Sequence, residues 1–272
     1  MPLVPRFDPE TVEVAVRFIE HRVKLARARG AVVGISGGID SAVVAALCVR
    51  ALGNKSVLGI MMPEEEPEKE APLTINWLGI RSRLVPIGKQ VKAVLSSMRA
   101  KPPKDALGNI KARLRMVNLY LEANMSHLLV VGTGNKSELL TGYFTKYGDG
   151  GVDILPIGDL YKTQVREMAR LLKVPDAIQK LVPTAGLYPG QTDEKELGIM
   201  YDDLDRILLG IELRLSHEKI ARQTRLPLSE VERIAMRVEA SIHKRAGPPI
   251  PKMGIRTIGL DWREESPRSE EE

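Results

Sequence analysis

The 272-residue chain has a single cysteine, Cys48. One thiol excludes an internal disulfide and fits a reducing compartment. Cys48 follows a glycine-rich loop inside an apolar stretch, so it reads as a small core residue rather than a nucleophile. Aromatics are scarce, with two Trp, six Tyr and three Phe, too few for the stacking platforms that single-stranded nucleic acid requires. No apolar run approaches the roughly 20 residues needed to cross a bilayer. The N-terminus lacks the basic-then-apolar pattern of a secretory signal, so export is not expected and a cytoplasmic protein is. There is no internal repeat. Lys and Arg exceed Asp and Glu by 40 to 35, but the two signs are interleaved rather than blocked, which argues against a nucleic-acid partner. A small substrate carrying phosphates would use the same positive bias on a smaller scale.

What is present suits a folded α/β protein. Apolar residues make up 43% of the chain and charged residues 28%, ordinary values for a globular chain. The length suits one substantial domain, expected over residues 1–262, with an acidic tail over 263–272 that is expected to be mobile. Asp8 and Pro9 open a first helix whose apolar stripe is Val12, Val16, Ile19, Val23 and Ala26. Buried strands are expected at 31–33, 56–62, 84–87 and 128–132. Between them fall helices from Ala42, from Gln90 to about Met98 and from about Asn109 to Ala123, with an acidic surface loop from Pro63 to Pro72. Helices near 161–173, 194–209, 218–223 and 229–243 complete the chain. Alternating strand and helix predicts a three-layer fold, a mostly parallel sheet with helices on both faces, plus extra C-terminal helices. In such a sheet ligands sit beyond the carboxyl ends of the strands.

The most informative stretch lies at one such end: Gly34-Ile35-Ser36-Gly37-Gly38-Ile39-Asp40-Ser41. Adjacent glycines let backbone amides approach an anion, and the helix start adds free N–H groups and a positive dipole end. Ser36 and Ser41 can donate to phosphate oxygens. Asp40 cannot, and its chemistry suits a divalent cation. The stretch is not a Walker A loop, because Gly-Lys-Ser/Thr is missing at the required spacing. It resembles the SGGxDS pyrophosphate loop of ATP pyrophosphatases, which cleave ATP to AMP and pyrophosphate.

Further motifs narrow the resemblance. Gly132-Thr133-Gly134-Asn135-Lys136-Ser137 matches neither Walker A nor a dinucleotide fingerprint. The glycine-rich run that follows, Glu138 to Gly151, has no strong period and carries Lys146, Asp149 and then Asp153, as a functional loop would. With GISGGIDSA, NIKARLRM, GTGNKSELLTGYFTKYGDGG, LPIGDLYKTQVR, PTAGL, DEKELGI and a late HKR in that order, the chain resembles ammonia-dependent NAD synthetases of the ATP pyrophosphatase superfamily. The resemblance implies an adenine nucleotide alpha hydrolase-like, Rossmann-like fold. It also implies a two-step ligation: the nicotinate carboxylate of deamido-NAD takes AMP from ATP, and ammonia then displaces AMP to give NAD.

The same resemblance assigns residues. Gly34, Ile35, Ser36, Gly37, Gly38, Ile39, Asp40, Ser41, Thr133, Lys162 and Thr184 would contact ATP. Asp40 and Glu138 would hold magnesium, and Asp40 and Lys162 would carry the catalysis. Arg115, Lys146, Asp153, His243 and Lys244 would contact deamido-NAD. It further implies a homodimer, and free ammonia as nitrogen donor, delivered where needed by a separate glutaminase.

Each assignment has a plainer counterpart. Lys111 and Arg115 lie four apart on one helical face, where basic side chains commonly meet solvent. Glu138 could complement a helix dipole. Asp149 and Asp153 could each make backbone turn bonds, with the match favouring Asp153. His243 could steady substrate or order a loop rather than move a proton. Other readings are a GMP-synthetase-like or tRNA-modifying pyrophosphatase, and a non-catalytic adenylate-binding regulator.

Overall fold

The structure is a computed structural model describing residues 3–66, 69–100, 102–188 and 190–259. The expected tail, Glu68 of the acidic loop and the end of the expected domain at 262 lie outside the described residues. Four strands, β1 (Ala31–Gly34), β2 (Val57–Met61), β3 (Arg81–Leu84) and β4 (Leu129–Val131), pair in parallel in the order β3-β2-β1-β4. Ile154 adds an isolated parallel bridge to Val131 beyond β4.

Helices α1 (Thr11–Leu25), α2 (Ile39–Leu52) and α7 (Lys162–Leu171) pack on one face of the sheet. Helices α4 (Gly88–Ser96) and α5 (Lys104–Ser126) pack on the other, against Val32, Leu58, Ile60 and Val130. Between them in sequence, α3 (Glu70–Leu78) contacts α2 and α6 (Lys136–Thr141) follows β4. A short α8 (Asp176–Gln179) and α9 (Asp193–Leu197) precede α10 (Tyr201–Glu212), α11 (His217–Thr224), α12 (Leu228–Ala240) and α13 (Ile242–Arg245). The last group forms a third apolar cluster centred on Tyr201, Leu204, Ile207 and Leu208. Three layers, with helices on both faces and extra C-terminal helices, match the expected fold.

Local chemistry explains the differences. The third strand is Arg81–Leu84 rather than 84–87, and all four of its residues are exposed. It is an edge strand, specified by its ladder to β2 rather than by apolar content. Val85 and Ile87 extend the pairing irregularly, donating to the carbonyls of Met61 and Pro63. The acidic stretch ends in α3, whose first turn holds Pro72, where a missing N–H costs little. The expected helix at 194–209 is two helices, divided at Gly198 in the left-handed region (φ 72°). Ala26 falls outside the buried stripe of α1, because that helix ends at Leu25.

Cys48 is fully buried in α2, and that burial pushes its thiol up to about 12. In native protein at pH 8 the thiol is therefore expected to be inert to an aromatic disulfide reagent. Its labelling rate should follow the unfolding rate as urea is raised; fast labelling without denaturant would contradict this placement.

The order of strands positions the site. From β1 the chain steps to β2 and β3 on one side, then returns to place β4 on the other. The crevice at the carboxyl ends of β1 and β4 is thus a topological switch point, where an α/β sheet opens to ligands.

Candidate active site at the β1–β4 switch point

The loop after β1 is held ready by its own serines. Ser41 Oγ donates to the carbonyl of Gly38 at 2.8 Å, Ser36 Oγ donates to Ser41 Oγ at 3.2 Å, and the Gly38 N–H donates to Ser36 Oγ at 3.2 Å. Gly38 is the N-cap of α2, and no side chain caps that end. The first amides of a buried, 14-residue helix are left for an anion. Gly37 has φ 93°, and a Cβ there would lie 3.1 Å from the backbone nitrogen of Ala71 and 3.2 Å from Glu70 Cβ. Gly37→Ala is expected to cost about 1–3 kcal/mol of stability as the loop shifts. Urea unfolding checks this; a wild-type value would show that the loop tolerates a side chain.

The loop after β4 supplies the opposing wall. Asn135 caps α6 by accepting from the Glu138 N–H at 3.0 Å, and Glu138 Oε2 accepts from the Asn135 N–H at 3.2 Å, a reciprocal capping box. The Asn135 amide also donates to Asp40 Oδ1 at 3.1 Å. One buried asparagine therefore fixes both carboxylates, Asp40 from the β1 side and Glu138 from the β4 side.

Lys162, the first residue of α7, completes the centre. Its Nζ donates to Asp40 Oδ2 and lies 3.7 Å from Glu138 Oε1. The side chain is 3% exposed, against 16% for Asp40 and 17% for Glu138. Tyr201 of α10 forms the floor, its ring centroid 5.3 Å from Nζ. Burial and the Asp40 charge drive the Glu138 carboxyl well above its ordinary range, with Lys162 opposing. Burial pulls Lys162 down, but Asp40 and Glu138 outweigh it and raise the ammonium. Asp193 adds a third buried carboxylate, itself raised by burial. The Lys162 ammonium thus sits among three carboxylate side chains, a donor set that suits a cation.

A second cluster links the glycine-rich loop to the C-terminus. Lys146 Nζ donates to the carbonyl of His243 at 2.6 Å, and Lys244 Nζ donates to the carbonyls of Gly142 and Phe144 at 2.7 and 2.8 Å. Lys146, His243 and Lys244 are therefore brought together, with α13 clamped to the loop. Arg115 is anchored separately, its Nε donating to the carbonyl of Met62 at 3.0 Å. Burial lowers its guanidinium, while the charges of Glu64 and Asp149 raise it.

Asp153 accepts from Tyr120 and from the Val130 N–H, at 2.9 and 2.8 Å, beside the middle of β4. Asp149 Oδ1 accepts from the Thr145 N–H at 2.9 Å, and Arg115 and Lys244 both act on its charge. Thr133 stands in the loop just beyond β4. Thr184 is exposed, its hydroxyl accepting from the Gly186 N–H at 3.1 Å. Lys111 does not meet solvent: it is buried, paired with Glu64 and bonded to the Leu187 carbonyl at 2.9 Å.

Four neighbours were not singled out by sequence. Asn135, Asp193 and Tyr201 surround the Asp40–Lys162 pair, and Arg113 donates to the Lys146 carbonyl at 3.3 Å. Asn135 and Arg113 carry a signal in their motifs, GTGNKSE and NIKARLRM. Tyr201 carries none.

A family model described as NAD synthase matches residues 11–248. An NH(3)-dependent NAD(+) synthetase of Methanosarcina acetivorans is 46% identical over 245 residues, covering 88% of this chain and 96% of that protein. One from Archaeoglobus fulgidus is 46% identical over 249 residues, covering 90% and 97%. Among solved structures, an NMN synthetase from Francisella tularensis superposes with a TM-score of 0.80 at 34% identity, covering 91% of this chain and all of that one. An NH3-dependent NAD synthetase from Campylobacter jejuni gives 0.77 at 30% identity, again with 91% and 100% coverage.

Proposed function

The chain belongs to the NAD synthase family, and from that premise we propose that the Asp40–Glu138–Lys162 centre binds ATP and activates the nicotinate carboxylate of deamido-NAD for amidation. The chain is an ammonia-dependent ligase that forms NAD, using ATP and deamido-NAD. The observation that carries the site reading is the convergence of three groups: a pre-formed anion loop at an uncapped helix, a buried lysine, and two carboxylates fixed by one asparagine.

A carboxylate is a poor acyl donor at neutral pH. Transfer of AMP to it creates a leaving group, with pyrophosphate released; ammonia then attacks the carbonyl carbon and AMP departs. The loop amides at Ile39, Asp40 and Ser41 and the serine hydroxyls would hold the pyrophosphate oxygens. Lys162 would offset charge developing on the transferred phosphate, with no covalent catalysis required. Lys146, Arg115, Asp153 and the His243–Lys244 segment would receive deamido-NAD. Thr133 and Thr184 would contact ATP from two sides.

Magnesium fits the donor set. Two hard carboxylate oxygens from opposite loops, crowded enough to raise Glu138, suit a small divalent cation. Asp40 and Glu138 would hold it, and when bound it would draw charge from the phosphate oxygens.

A homodimer is supported by α5, where Val117, Leu121 and Met125 repeat at four-residue spacing and are each more than half exposed. Leu121→Glu is expected to shift sedimentation from dimer to monomer; an unchanged profile would remove this face from the interface. A separate glutaminase could supply the ammonia. A cytoplasmic location is consistent with the lone buried thiol, and no described helix is long and apolar enough to cross a membrane.

The adenylation reading is tested by isotope. With the deamido-NAD carboxylate labelled with oxygen-18, one label should appear in AMP for each NAD formed. Label confined to pyrophosphate or phosphate would sink it.

A further inference from the structure

Lys162 stands where a divalent cation would stand. Asp40 Oδ1 is committed to the Asn135 amide and Glu138 Oε2 to the Asn135 N–H. The oxygens left for a metal, Asp40 Oδ2 and Glu138 Oε1, are the two that the Lys162 ammonium faces. Two cations cannot share them at close range without strong repulsion. A displaced Nζ has little water to move into, because Lys162 is buried.

One buried acceptor nearby has no partner. Asp193 is 4% exposed, and its Oδ1 has no hydrogen-bond donor in place, although its Oδ2 accepts from the Tyr201 hydroxyl at 3.2 Å and the Tyr143 hydroxyl, which donates to Glu196 Oε2 at 2.7 Å, lies beside the carboxylate. Tyr201 is also the floor beneath Lys162 Nζ, and Asp193 lies within electrostatic reach of Lys162 and Asp40. An orphaned carboxylate oxygen in a native interior is costly, and the cost is explained if another state of the site fills it. We propose that Asp193 is the second seat of the Lys162 ammonium, a positioning residue that takes it over when a divalent cation takes Asp40 and Glu138. Lys162 then stays at the reacting phosphate, with one donor on Asp193 and two free for phosphate oxygens.

The inference rests on Asp40 and Glu138 being magnesium ligands, and a crystal structure with magnesium and a non-hydrolysable ATP analogue separates the two claims. The expected result is metal on Asp40 and Glu138, with Lys162 Nζ within about 3.2 Å of Asp193 Oδ1. Metal in place with Lys162 away from Asp193 overturns the proposal alone. No metal there overturns both.

Asp193→Asn gives a readout in solution. It should lower kcat about tenfold and weaken binding of magnesium alone by calorimetry. It should leave the KM for ammonium within about twofold and the unliganded melting temperature no lower than wild type. A raised ammonium KM with unchanged kcat would make Asp193 an ammonium seat, and a lower melting temperature with unchanged kcat would make it structural; either overturns the proposal. In a Lys162→Met background the effect of Asp193→Asn on magnesium affinity should vanish. Its persistence would mean that Asp193 acts on the metal directly, against the proposal.

Discussion

Asp40→Asn is expected to reduce turnover about a thousandfold while leaving the fold intact. Asn keeps the shape that receives the Asn135 amide, but it cannot supply a charged oxygen to a cation. Stability should change little because Lys162 keeps a second carboxylate close by. Removing Asp40's charge leaves Lys162 with Glu138, whose oxygen is already 3.7 Å from Nζ. It also removes one of the influences that raise the Glu138 carboxyl. Steady-state assays and thermal melts check the two halves separately. A turnover loss below about tenfold would take Asp40 out of the reacting centre. A melting temperature lowered in step with activity would make its role structural.

Lys162→Met is expected to damage both stability and turnover. It strips the cation from two carboxylates that are each more than four-fifths buried. Breaking a buried pair from one side costs about 3–5 kcal/mol. Glu138 is already biased toward its neutral form and can take a proton, so a loss of about 2–4 kcal/mol is expected. Magnesium without nucleotide should restore more stability to this variant than to wild type, because the cation then enters without displacing an ammonium. Turnover should fall at least about a hundredfold even with magnesium saturating. Urea unfolding with and without magnesium, beside initial-rate assays, reads each effect. Unchanged stability, or full activity once magnesium is added, would contradict the placement of Lys162.

The parts of the site carried by contiguous residues are legible in the sequence. The 34–41 loop announces itself, because anion binding at a helix start needs glycines and hydroxyls within a few residues. Asp40, Glu138 and Lys162 were named from three motifs, and the switch point between β1 and β4 brings them together. The surroundings were not legible. Tyr201 is one aromatic among several, and it reaches Lys162 only because α10 packs on α6 and α7. Lys111 looked like a solvent-facing partner of Arg115, yet Glu64 and Leu187 from two distant segments cover it. Helical spacing gives the face of a residue but not what folds over that face. The β3 edge was misplaced for a related reason: Arg81-Ser82-Arg83-Leu84 has no apolar period, and its strand geometry comes from β2.

The most direct measurement is a product balance with purified protein, ATP, magnesium, deamido-NAD and ammonium, and no glutamine. Equal amounts of NAD, AMP and pyrophosphate are expected, with none of the three formed when deamido-NAD is omitted. ADP with phosphate, or no turnover from protein verified to be folded, would contradict the account.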